Sequence, residues 1–193
     1  MADLLPLIGF VFFGLFSPGP NVILITTSGA RFGFAATGPH IVGVALGVGV
    51  VAGAVGLGLG AIVTTWPVLT VGLKLVAGAW IGWMAWGLWQ AKPASKQAAD
   101  RPFTFLEAVM FQWVNPKIWA VSISALAYVA DRDLYGQAVI LALTFTSTNI
   151  FVCLFWAWAG SWLSFLTSTP NAWRMFMRAM AVGLMFFSLA VFL

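Results

Sequence analysis

Six continuous apolar runs, at about residues 4–27, 41–64, 70–90, 105–130, 137–165 and 173–193, take up nearly the whole 193-residue chain. Each is close to the roughly 20 residues that a helix needs to cross the hydrocarbon core of a bilayer. None shows the period-two alternation of a barrel strand, so the runs read as spanning helices. The first run lacks a basic n-region and reads as a span rather than a signal peptide. Hydrophobic residues make up 62% and charged residues 7% of the chain, against about 45–50% and about 25% in soluble domains. That balance excludes an ordinary soluble enzyme and a disordered chain. A net charge of +4 is scattered over the runs, which makes no nucleic-acid patch and suits loops against an anionic membrane surface. The expected fold is an all-α integral membrane protein, a single transmembrane domain over 1–193 with the lipid bilayer as its surroundings.

Basic residues in short loops set the expected orientation. Arg31, Lys92, Lys96, Arg101, Arg174 and Arg178 fall on one side, and only Arg132, between Asp131 and Asp133, falls on the other. The first side is expected to be cytoplasmic, with both termini outside.

The polar segment 91–104 divides the chain into repeats of about 1–90 and 105–193, each with three spans. Three is odd, so the second half is expected to be inverted relative to the first. Each half opens with an interrupted helix, at Ser17-Pro18-Gly19-Pro20-Asn21 and at Asn115-Pro116-Lys117. A shift of 98 positions lays Pro18 on Pro116. Proline removes an N–H and clashes with the preceding turn, which frees backbone groups that must be buried in protein or line a cavity. Interrupted segments at matching positions of inverted halves point to a transporter binding site. Asn115-Pro116 reads as an N-cap followed by the first residue of a half-helix, and Ser17-Pro18 is read the same way. Such half-helix N-termini suit a carboxylate; the plainer alternative is a pair of packing kinks.

Lys117 lies about twelve residues into its span, where a cation costs roughly 2.5–3.5 kcal/mol on insertion scales. No Asp or Glu occupies a predicted span interior. The residue suits an anionic ligand group, or it caps carbonyls of the other broken helix. In the fifth span Thr144, Thr146, Ser147 and Thr148 read as helix glue, and Asn149 as a candidate contact for substrate or for the partner half-helix. The glycines from Gly43 to Gly60 read as close-packing faces that leave a homodimer open. His40 is read as solvated interface, Cys153 as a small buried apolar residue, and the Trp80 to Trp89 series as packing. One Cys and one His supply neither a metal site nor a redox pair, and the reading calls on no cofactor.

Along nearly its whole length the chain resembles the lysine-exporter superfamily of LysE/RhtB type. The resemblance is carried by Ser17-Pro18-Gly19-Pro20-Asn21, Gly29 to Gly47, Leu73-Lys74 before Gly78, and the Phe111 to Lys117 stretch (FQWVNPK). The stretch from Phe111, with Asn149 through Gly160, looks most like the branch that includes cysteine and O-acetylserine exporters. Trp80 stands where many members have Tyr. The resemblance implies a bacterial inner-membrane exporter of amino acids or related small metabolites, driven by the proton-motive force, with no enzymatic step. It places Pro18, Gly19, Pro20, Asn21, Asn115, Pro116 and Lys117 at the substrate site, with the two halves rocking in alternating access. Lys117 would attract the substrate carboxylate. Competing readings are an uncoupled channel-like facilitator and an exporter of some other solute. A metal-ion exporter is disfavoured by the lack of intramembrane carboxylates.

Overall fold

In the computed structural model, residues 4–91, 101–163, 169–190 and 192 are described. Helices account for nearly all of them, and no strand occurs among them. The first apolar run forms α1 (Leu5–Phe16) and α2 (Pro20–Phe32), which meet at a bend of 60°. A short 3-10 turn (Ala35–Thr37) leads into α3 (Gly38–Ala54). A π-turn at Val55–Leu59 and α4 (Gly60–Thr65) complete that run. Pro67 opens α5 (Pro67–Trp89). The fourth run is α6 (Phe105–Val114) and α7 (Pro116–Ala125), and the last two are α8 (Leu134–Leu163) and α9 (Pro170–Ala190).

Four helical stretches are long and apolar enough to cross a bilayer: Ala35–Thr65, Pro67–Trp89, Leu134–Leu163 and Pro170–Ala190. The bent α1–α2 pair makes a fifth, whereas α6 alone is too short. Apolar side chains cover the outside: Val68 is 81% and Phe13 73% exposed. A surface of that kind is at rest only in lipid.

Two clusters make the interior. One joins α1, α3, α7 and α8 through Leu7, Val44, Val48, Ile118, Leu141 and Phe145. The other joins α5 and α9 to α2 and α6 through Ile81, Leu88, Phe111, Met177 and Leu184. Glycine lets the backbones touch where α2 crosses α8. A Cβ on Gly29 would strike the Ala157 carbonyl, and one on Gly160 the Thr26 carbonyl. Four glycines of α3 are likewise spent inside the chain, Gly43 and Gly47 against α6 and Gly49 and Gly53 against α8. At Gly58 the backbone has φ +97°, a value that L side chains rarely adopt, and the helix kinks there.

Local chemistry explains the element boundaries. Thr104 caps α6 by accepting from the Glu107 N–H, while the Glu107 carboxylate accepts from the Thr104 N–H at 2.8 Å and from Arg101 at 2.7 Å. Most of the 91–104 linker, with Lys92, Lys96 and Asp100, lies outside the described residues, as does Asp3. One expectation is corrected. His40 is not solvated interface: it is 2% exposed and packs on Phe103 at 5.0 Å between ring centroids. The fold brings the residues ahead of α6 back over the start of α3, which covers it. Cys153 is buried, as expected.

Candidate functional site

Proline dictates where both breaks fall. Asn115 ends α6 in an extended conformation, and its side-chain oxygen accepts from the Lys117 N–H at 3.3 Å. Pro116 follows as the first residue of α7, where its missing N–H costs nothing. This is the arrangement expected from the sequence. At the other break the expectation needs correcting. Ser17 is not the N-cap of a half-helix that begins at Pro18. It closes α1, its N–H bonded to the Phe13 carbonyl and its hydroxyl to the Gly14 carbonyl at 3.0 Å. Gly19 is the extended N-cap of α2, and Pro20 is its first residue. The structural counterpart of Pro116 is therefore Pro20, not Pro18. The physical reason is local: Pro20 disfavours a helical conformation in the residue before it, and Gly19 is extended, with φ -176° and ψ 178°.

The two breaks meet. Lys117 Nζ donates to the Ser17 carbonyl, to Ser17 Oγ at 3.0 Å and to the Pro18 carbonyl at 3.5 Å. A cation at the C-terminal end of a helix complements the partial negative charge there. Of the two roles open for Lys117, carbonyl capping is the one seen. Its stem crosses Gly19, where a Cβ would lie 2.7 Å from Lys117 Cδ. Next to it, Asn21 and Gln112 exchange side-chain hydrogen bonds of 2.8 and 3.2 Å, tying the start of α2 to the end of α6. Gln112 is fully buried and also donates to the Ala108 carbonyl at 2.8 Å.

Between the breaks and α8 lies a cavity lined by Gly19, Asn21, Lys117, Asn149, Cys153 and Trp156 together with apolar residues of α1, α2 and α7. Its free space of about 10 Å³ holds roughly one water molecule. Asn149 Nδ2 and Trp156 Nε1 are buried here with no hydrogen-bond partner among the described residues. Buried donors are normally satisfied, and both of these residues line the cavity.

Of the residues singled out in the sequence, Gly19, Asn21, Lys117 and Asn149 line this cavity. Ser17 and Pro18 hold the Lys117 ammonium, Pro20 begins α2, and Asn115 caps α7. Pro116 faces a separate space of about 320 Å³ beside Lys74. Gln112, Cys153 and Trp156 were not anticipated as neighbours of the site. A mid-span Gln three residues before Asn115 was the one legible signal among them. Among the described residues no group of three or more His, Cys, Asp or Glu side chains comes together for a metal.

The profile of the LysE type translocator family matches residues 12–193. The chain belongs to that family. Curated relatives include the cysteine/O-acetylserine efflux proteins of Salmonella choleraesuis and Salmonella typhimurium. Each is 31% identical over 153 residues, covering 75% of this chain and 75% of the relative. No solved structure matches the chain significantly. As a LysE translocator it is a multi-pass membrane protein, and both helix breaks lie within the matched region.

Proposed function

We propose that this LysE translocator exports amino acids or related small metabolites across the bacterial inner membrane, driven by the proton-motive force. The substrate occupies the cavity between the two breaks. Six spans, arranged as two inverted halves of about 1–90 and 105–193 with both termini outside, rock about that site in alternating access. The single observation that carries this reading is the cavity itself. It joins both helix breaks, a half-buried cation and two residues with orphaned N–H donors, and it is too small for an amino acid until the halves move. A closed site of this kind favours a carrier over an open facilitator. The similarity to cysteine/O-acetylserine efflux proteins supports small polar amino acids as the substrate class.

The test is efflux from proteoliposomes loaded with single labelled amino acids, with and without an imposed proton gradient. Saturable efflux of one class, accelerated by the gradient and absent from protein-free liposomes, is the expected result. Flux proportional to concentration for every solute alike would overturn the carrier reading.

A further inference from the structure

Three acceptors surround the Lys117 ammonium, and all of them lie just past the end of α1: the Ser17 carbonyl, the Ser17 hydroxyl and the Pro18 carbonyl. Among the described residues no carboxylate reaches it. Glu107 is engaged by Arg101 and Thr104, and Asp131 and Asp133 lie in the turn before α8. The ammonium is thus held by helix-end carbonyls and one hydroxyl alone, a seat that fits any primary ammonium. On the cavity the polarity reverses. Asn149 is 2% exposed, and its Nδ2 and Trp156 Nε1 both lack an acceptor. A cation held by carbonyls thus borders a cavity that Asn149 and Trp156 also line, with the Lys117 stem lying over Gly19. A free α-amino acid carries one charge of each sign. It cannot enter while the stem fills the space, since only about 10 Å³ is free. Ser17 and Pro18 are exposed, so the carbonyls that hold the ammonium lie at the surface of the bundle.

We propose that Lys117 is a tethered stand-in for the α-ammonium of the substrate. It occupies the Ser17–Pro18 seat when the site is empty. An incoming amino acid displaces it, places its own ammonium there, and gives its carboxylate to Asn149 Nδ2 and Trp156 Nε1. This inference rests on the exporter reading and reverses the role expected of Lys117 from sequence. The lysine competes with the substrate instead of anchoring it. The empty carrier then closes with the same carbonyls satisfied as the loaded one, which lets it return without cargo.

A pair of isomeric probes tests the seat. O-acetyl-L-serine has a free ammonium, and N-acetyl-L-serine has the same atoms without one. Wild-type proteoliposomes are expected to export the first and not the second, a result that depends on no variant. In Lys117→Met the competitor is gone. Exchange of internal for external O-acetyl-L-serine is expected to persist, with a half-saturating concentration about threefold lower, because no fraction of the site is occluded by its own lysine. Net efflux into probe-free buffer is expected to fall about tenfold, because the empty carrier now closes on unsatisfied carbonyls. Propylammonium added to Lys117→Ala is expected to restore part of the net efflux. Equal export of both isomers by wild type, or joint loss of exchange and net efflux in a folded Lys117→Met protein, would overturn the proposal while leaving the exporter intact. No flux of any amino acid through wild type would overturn the exporter reading and the proposal together.

Discussion

Asn21 and Gln112 stand 91 residues apart and hold each other by two reciprocal amide hydrogen bonds of 2.8 and 3.2 Å. The pair clamps the first residues of α2 to the last turn of α6, so each broken helix positions the other. Gln112 Oε1 also lies 3.5 Å from Asn115 Nδ2, which extends the clamp to the cap of α7.

Because Gln112 is fully buried, removing one amide strands the other. Gln112→Leu or Asn21→Leu is expected to cost about 1–3 kcal/mol of stability. The double variant should cost less than the sum of the two, with a coupling of about 0.6–1.7 kcal/mol, the span seen for hydrogen bonds between membrane helices. Thermal unfolding of the four proteins in detergent measures it. Strict additivity would show that the pair carries no coupling.

Asn149 separates stability from function. Its Nδ2 is already unsatisfied, so Asn149→Leu removes an orphaned donor and is expected to leave stability within about 1 kcal/mol of wild type or raise it. Saturable efflux should nevertheless drop about tenfold or more, through loss of a substrate contact. A variant that exports normally would remove Asn149 from the site.

The α2–α8 crossing is the tightest constraint on packing. Gly29→Ala and Gly160→Ala each push a methyl group into a backbone carbonyl and are expected to lower stability by about 1–3 kcal/mol. Gly72→Ala on α5 meets nothing within 4 Å and, by helix propensity, should be neutral or stabilising by up to about 1 kcal/mol. Reading all three by midpoint shift in one detergent gives an internal control.

The start of α6 offers a test of surface chemistry. Thr104→Ala removes the cap that accepts from the Glu107 N–H and is expected to cost about 1 kcal/mol at any salt concentration. Arg101→Ala breaks an exposed ion pair, which is worth about 0–1 kcal/mol and is weakened by added salt. Stability measured at low and high ionic strength distinguishes a salt-independent loss from a screened one.

Much of the architecture was legible in the residues. Run length and hydropathy define spanning helices because a bilayer demands about 20 apolar residues whatever their partners. Pro116 opens a half-helix because proline cannot accept a place in the preceding turn, whereas at the first break the residues were read as starting at Pro18 and the helix starts at Pro20. Asn115 is an N-cap because its short side chain reaches its own helix end. The glycines of α3 were readable as close-packing positions, though not whether their partner lay in this chain or in a second copy.

What the sequence by itself determined is therefore what acts within about one helical turn: hydropathy, proline breaks and caps. Tertiary structure decided everything that depends on a partner far along the chain. It brought the Lys117 ammonium, a hundred residues away, onto the Ser17 and Pro18 carbonyls. It buried His40 against Phe103, and it left Asn149 Nδ2 and Trp156 Nε1 without acceptors, on residues that line one cavity with Lys117. A polar group's partner in a membrane is set by which helix packs against it, and packing is a property of the whole bundle that no local run of residues contains.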